Sequence, residues 1–205
     1  MASLIVFEGG DGSGKSTQAR NLMQRLRRRG LGAVLTHEPG GTPLGEALRR
    51  VLKSGPAMSP LSELFLFEAA RAQLVDTLIR PALAVGRTVI ADRYVASTVA
   101  YQAYGRELDR NLVDRLNREA TGGLTPDLTV LLDLSVDTSL SRIQRAGNDN
   151  FDQAPREFHR RVREGYKAQA EANPDKWLVL DGTRAKRDLG RQIWEKVQPL
   201  LQQRG

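Results

Sequence analysis

The stretch from Leu4 to Thr17 constrains the fold of this chain more than any other. It opens as the apolar run Leu4 to Phe7, passes through Gly9, Gly10, Asp11, Gly12, Ser13 and Gly14, and leaves through Lys15, Ser16 and Thr17 into a helical pattern. Gly9, Gly14, Lys15 and Ser16 fill the G-x-x-x-x-G-K-[ST] spacing of a phosphate-binding loop. Glycine permits positive φ and carries no Cβ, so successive backbone N–H groups can turn inward and approach phosphate oxygens. The N-terminus of the following helix adds its own unpaired N–H groups to the same anion site. Lys15 is then within reach of terminal phosphates as a point charge, and the Ser16 hydroxyl within reach of Mg2+. A chance glycine turn would not bring this strand before it and this helix after it.

Ala33 to Thr36, Arg87 to Asp92, Leu128 to Asp133 and Trp177 to Asp181 read as further strands. Leu128 to Asp133 is apolar at nearly every position, as a parallel strand buried on both faces requires. Helical patterns lie between them, over Gln18 to Arg29, Leu44 to Leu52, Ser59 to Leu83, Ala96 to Ala103, Arg110 to Ala120, Val136 to Arg145, Arg156 to Ala172 and Leu189 to Gln202. Ser59 is placed as an N-cap with Pro60 first in the helix, and Pro81 predicts a kink or a division further on. Five strands alternating with helices predict a three-layer α/β fold, a parallel sheet covered on both faces. No internal repeat and no Pro-, Gly- or Ser-rich linker divides residues 1–205, so one domain is expected.

The 31 Lys and Arg against 24 Asp and Glu give a formal charge of +7, which favours an anionic partner. The basic residues are spread along helices without interleaved aromatics. Their longest run, Arg27 to Arg29, closes a helix, where cations suit the macrodipole. Small phosphorylated ligands therefore fit better than nucleic acid. No apolar run approaches the roughly 18 residues of a membrane span, so no membrane partner is expected. With no cysteine, disulfides and thiolate metal sites are excluded, and the chain reads as a cytoplasmic protein.

Ligands of parallel sheets gather at the carboxyl ends of the strands, which nominates the loops 9–16, 37–42, 92–102 and 181–184. Asp92 ends an apolar strand, where a carboxylate can hold Mg2+ or its waters opposite Ser16; a helix N-cap is the alternative. Arg93 beside it would be a costly charge in a pocket unless an anion paired it, which points to phosphate contact.

Val89 to Gln102 resembles the D-R-[YH]-x-x-S-x-x-A-Y-Q element of thymidylate kinases. Glu8 to Thr17 resembles their phosphate loop, Glu38 to Thr42 their second-strand exit, and Phe67 with Arg71 their F-x-x-x-R helix, in the family's order and over essentially the whole chain. The resemblance implies transfer of the γ-phosphoryl group of Mg·ATP to dTMP, a step of dTTP synthesis, by a homodimer with a short lid at about residues 142–156. It implies Phe67 stacked on thymine, Arg71 donating to the base, and Ser97 and Gln102 near the base edge. It further implies Tyr101 against the deoxyribose 2′ carbon, Asp11 near the 3′-hydroxyl, Arg49 and Arg93 on the monophosphate, and Glu38 among the substrate contacts. Residues 9–17 would hold ATP, with Ser16 and Asp92 at the metal ion. Lys15, Arg93 and a lid arginine would neutralise charge on the transferring group, for which no protein nucleophile is needed.

Core packing is the competing account of Phe67 and Tyr101, and a solvated helix charge that of Arg49 and Arg71. His37 stands where related chains often carry Arg, and neither it nor His159 is given a catalytic role. Gly12 stands where some members carry a basic residue, and Asn150 where an Asp-Arg pair is frequent. The missing positive charge then falls to Arg145, assisted by Arg142 three residues earlier on the same helix face. A kinase for another nucleoside monophosphate is the nearest alternative. A P-loop switch protein would need a guanine-specifying N-K-x-D segment, which the sequence lacks.

Overall fold

The computed structural model describes residues 2–144 and 154–202, so Arg145, Asn150 and most of the expected lid lie outside the described residues. Five strands, β1 (Leu4–Glu8), β2 (Ala33–His37), β3 (Thr88–Asp92), β4 (Leu128–Asp133) and β5 (Trp177–Asp181), form one parallel sheet in the order β2-β3-β1-β4-β5. The helices are α1 (Lys15–Arg28), α2 (Pro43–Ser54), α3 (Pro60–Leu74), α4 (Arg80–Ala84), α5 (Val95–Thr98), α6 (Arg110–Thr121), α7 (Val136–Gln144), α8 (Arg156–Ala172) and α9 (Lys186–Gln202). The expected α/β architecture is the one observed.

Strand β1 lies at the centre and every residue of it is buried, since helices cover both faces of the sheet. Its side chains alternate between two cores. Ile5 and Phe7 join Ile90, Val130 and Leu132 beneath Leu22 and Leu26 of α1 and Leu189 and Ile193 of α9. Leu4 and Val6 join Val89 and Ala91 against Leu74, Val75 and Ile79 on the other face. This sandwich fixes the carboxyl end of β1, and therefore the glycine loop, between β3 and β4.

Two local details differ from the sequence reading, the start of α1 and the break beyond α3. Helix α1 starts at Lys15 rather than Gln18, because Gly14 at φ +97° ends the loop directly before it. Ser59 caps α3 as expected, its Oγ accepting from the Ser62 N–H at 3.2 Å. The long helical pattern is divided by a wider π-helical turn over Val75–Ile79, and Pro81 follows as the second residue of α4. A second π-helical segment, Val99–Gly105, continues α5 and carries Tyr101 and Gln102.

Helix α8 lies flush on that second segment. A Cβ on Gly105 would fall 2.6 Å from Phe158, and one on Gly165 would fall 2.7 Å from Tyr104, so glycine alone allows the approach. Arg161 closes the contact by donating to the carbonyls of Tyr104 and Gly105 at 3.1 and 2.8 Å. The helix that follows the lid segment and the segment expected to hold the acceptor are thereby packed into one unit.

Candidate active site

The glycine loop adopts the conformation its sequence requires. Gly9, Gly12 and Gly14 have φ of +135°, +72° and +97°. A Cβ on Gly9 would lie 2.5 Å from the Leu132 carbonyl oxygen, because the loop crosses β4 at that point. A Cβ on Gly12 would lie 2.9 Å from Cβ of Arg142, so a side chain at this position would require the loop or α7 to shift. Arg142 instead donates to the Gly12 carbonyl at 3.0 Å and to the Gly182 carbonyl at 3.3 Å, tying the loop to the turn after β5. Lys15 is buried and donates from Nζ to the Gly10 carbonyl at 2.8 Å. Burial, with the Arg93 charge nearby, lowers its pKa to about 8.

Parallel pairing of β1 with β3 sets Asp92 beside Phe7, at the mouth of the loop. The Ser16 hydroxyl donates directly to Asp92 Oδ2. Tyr94, not Asp92, precedes the first turn of α5, and no side chain caps that helix, so the N-cap account of Asp92 does not apply. Among the described residues no three His, Asp or Glu side chains cluster as a metal cage. A serine hydroxyl and one carboxylate in a cleft nonetheless suit Mg2+, which binds through one or two protein oxygens and completes its shell with phosphates and water.

Arg93 is the hub of the site. Its φ of +75° places a non-glycine residue in the left-handed region, a strain of about 1–3 kcal/mol that surrounding contacts must hold. Glu8 supplies them: its fully buried carboxylate accepts from the Tyr94 N–H at 2.9 Å, the Ser97 N–H at 3.2 Å, the Ser97 hydroxyl at 2.6 Å and the Tyr166 hydroxyl at 3.1 Å. Burial raises the pKa of Glu8 against the opposing pull of Arg93 and these donors. The Arg93 guanidinium donates to Asp11 Oδ1 at 2.6 Å, Tyr166 Oη at 3.0 Å, Ser97 Oγ at 3.1 Å and Tyr101 Oη at 3.3 Å. Tyr101 in turn donates to Asp11 Oδ2 at 2.9 Å. Burial works to raise the Asp11 carboxyl, but Arg93, Lys15 and the Tyr101 hydroxyl outweigh it and hold the group well below the usual carboxylate range. The anion that pairs Arg93 within the protein is thus Asp11, while its guanidinium still borders open space.

Two cavities meet at this hub. One is lined by Asp11, Gly12 and the residues from Gly14 to Thr17, with His37, Arg49, Asp92 and Arg93. The other runs over Arg49, Phe67, Arg71, Ser97, Tyr101 and Gln102. Asp11, Glu38, Arg49 and Arg93 line both. The expected acceptor residues are therefore brought to one place. Arg49 is half-buried and donates to the Pro39 carbonyl at 2.9 Å. Gln102 is buried and donates to Glu63 at 2.9 Å. Arg71 is not a solvated charge: it is 1% exposed, with Glu38 Oε2 accepting at 2.9 and 2.6 Å. Burial nevertheless pushes Glu38 up to about 7 against the Arg71 charge. His37 pairs with Glu46 at 2.9 Å, bracing the start of α2.

A family model described as thymidylate kinase matches residues 7–193. The chain belongs to the thymidylate kinase family. A thymidylate kinase of Dehalococcoides mccartyi is 46% identical over 203 residues, covering 98% of each chain. That of Deinococcus radiodurans is 48% identical over 195 residues, covering 94% of this chain and 95% of its own. The crystal structure of thymidylate kinase from Ehrlichia chaffeensis superposes with a TM-score of 0.74 at 36% identity, over 87% of this chain and 92% of that one. Thymidylate kinases are phosphotransferases that phosphorylate dTMP with ATP as donor, and this chain is an enzyme of that class.

Several residues of the site had no weight in the sequence reading. Glu8 carried a signal, being the one charged residue of an apolar strand. Tyr166, Asn117 and Glu68 carried none, since each reaches an arginine from a helix whose own pattern is ordinary.

Proposed function

We propose that the chain transfers the γ-phosphoryl group of Mg·ATP to dTMP, with ATP on residues 9–17 and dTMP in the cavity over Phe67. The observation that carries this reading is the junction of the two cavities at Asp11, Arg49 and Arg93, where two anionic ligands would meet end to end. In-line transfer needs positioning and charge neutralisation rather than a protein nucleophile. Lys15 and the loop N–H groups hold the donor phosphates, Arg49 and Arg93 the acceptor phosphate, and Asp11 with Tyr101 the sugar. Phe67 stacks on the base, and Arg71, Ser97 and Gln102 face its edge, with Glu38 behind Arg71. Ser16 and Asp92 would hold Mg2+, which when bound would supply charge neutralisation at the phosphate oxygens. Arg145, assisted by Arg142, is the lid arginine in this reading, although the Arg142 bonds to Gly12 and Gly182 suit a strut of the loop better than a moving group.

We further infer one kinase domain with a lid of about residues 142–156, working in the cytoplasm as a homodimer without nucleic-acid or membrane partners. Among the described residues no helix is long and apolar enough to cross a membrane. Leu44 and Val51 of α2 and Leu61 and Phe65 of α3 stand exposed at 45%, 41%, 40% and 51%, which supports a second copy packing there.

The test is a bisubstrate probe, adenosine and thymidine joined 5′ to 5′ through five phosphates. If the cavities form one in-line site, calorimetry will give an affinity at least about a hundredfold above that of ATP or dTMP alone. An affinity no better than the stronger single nucleotide contradicts the shared junction.

A further inference from the structure

Arg71 is bound in an unusual way for a residue read as a donor to a base. Its Nε and Nη2 donate to Glu38 Oε2 at 2.9 and 2.6 Å. Its Nη1 donates to Glu68 Oε1 at 2.9 Å, Thr98 Oγ1 at 2.8 Å and Asn117 Oδ1 at 2.7 Å. A guanidinium has five N–H groups. Three acceptors surround the two on Nη1, and Glu38 takes that on Nε and one of the two on Nη2. A single Nη2 hydrogen is left for the cavity that Arg71 lines.

Glu38 and Thr98 line that cavity themselves, whereas Glu68 and Asn117 do not. Asn117 meets the cavity through Arg71, and Glu68 through Arg71 and Thr98. Asn117 reaches it from α6, 46 positions along the chain. Its Nδ2 is buried and has no partner among the described residues. An unpartnered buried amide group costs about 1–3 kcal/mol, which an apolar side chain in this place would avoid. The Asn117 oxygen is therefore placed for Arg71 and not for general packing.

On the reading of Arg71 as the donor to the base, we propose that Asn117 and Glu68 are specificity-determining positioning residues, which lock the guanidinium so that one N–H and no acceptor meets the base edge. A base with a carbonyl oxygen at that edge accepts this hydrogen. A base with an exocyclic amino group sets donor against donor, and the locked guanidinium cannot swing its N–H aside to relieve the clash. Sites built on fixed hydrogen bonds discriminate strongly for this reason.

The experiment measures kcat/KM for dTMP and for dCMP with the full chain as wild type, Asn117→Leu and Asn117→Asp. Leucine keeps the volume and removes the oxygen, while aspartate keeps an oxygen facing Arg71. The proposal expects the dTMP-to-dCMP ratio to fall at least about tenfold in Asn117→Leu and to stay within about threefold of wild type in Asn117→Asp. Should the leucine variant not fold, Asn117→Ala serves in its place, with dTMP and dCMP affinities read by calorimetry. An unchanged ratio, or equal loss on both substrates with a lowered Tm, reduces Asn117 to a packing residue and overturns the proposal. A wild type that does not prefer dTMP overturns instead the reading of Arg71 on which it rests.

Discussion

Replacing Gly9 by alanine sets two separable effects against a matched control. Gly9 has φ +135°, a region that L-residues enter at a strain of about 1–3 kcal/mol. A Cβ there would also sit 2.5 Å from the Leu132 carbonyl oxygen and 3.3 Å from its carbon. That carbonyl is fixed in the sheet, since β4 is paired to β1 from Ile5↔Leu128 to Glu8↔Leu131, so relief requires the loop to move away from the strand. Gly30 has φ +71° and nothing within 4 Å of its added Cβ, so Gly30→Ala pays for conformation alone, about 1–2 kcal/mol. Adding the overlap to the strain puts Gly9→Ala at about 3–5 kcal/mol, a large part of the stability of an ordinary domain. At roughly 2–4 °C per kcal/mol for a chain of this size, Tm should fall by about 6–20 °C. Urea unfolding of both variants beside wild type reads the difference, and calorimetry with ADP on the folded fraction reads displacement of the loop. A Gly9→Ala variant within about 0.5 kcal/mol of Gly30→Ala would refute the close approach of loop and β4.

Lys15 should give a pH signature. The folded chain releases its proton near pH 8 and the unfolded chain near 10.5, so the unfolded state holds more protons in that window and stability rises with pH through it. Relative to Lys15→Met, wild type should gain about 3 kcal/mol between pH 7.5 and 10.5, and a flat difference contradicts the burial. Tyr166→Phe removes an acceptor from Arg93 and a donor to Glu8, so kcat should drop about tenfold with KM for dTMP within about twofold; an unaltered kcat removes Tyr166 from the positioning of Arg93. Tyr101→Ala should raise activity on the ribose form of TMP relative to dTMP. It should also destabilise by about 3–5 kcal/mol, because the ring packs edge-on against Phe158 and Tyr166 at 6.0 and 6.4 Å. A fixed ribose-to-deoxyribose ratio would leave Tyr101 as core alone.

Most of the fold was legible because the strands are short, apolar and punctuated: Leu128 to Asp133 and Trp177 to Asp181 were read to the residue. The misplaced break in Ser59 to Leu83 shows the limit of local rules. Proline marks where an N–H is missing, and at Pro81 the chain had already widened into a π turn over Val75–Ile79 that no composition signal announces. The site was legible where function sits in one segment, as in the glycine loop and around Asp92. Arg93 was read as a charge that needs a phosphate; within the protein Asp11, 82 positions away, pairs with it, and the strain at Arg93 is held by Glu8. Such partners come together through the β1–β3 pairing and the packing of α8, which exist only in the folded chain.

The central claim is that the cavity over Phe67 and Arg71 takes dTMP and that ATP supplies its phosphate. Purified chain incubated with Mg2+ and ATP labelled at the γ-phosphate should place the label in dTDP. In a panel of dTMP, dUMP, dCMP, dGMP and AMP, kcat/KM should be highest for dTMP, lower for dUMP and at least about a hundredfold lower for the rest. Label entering ADP from AMP as readily as dTDP from dTMP would contradict it.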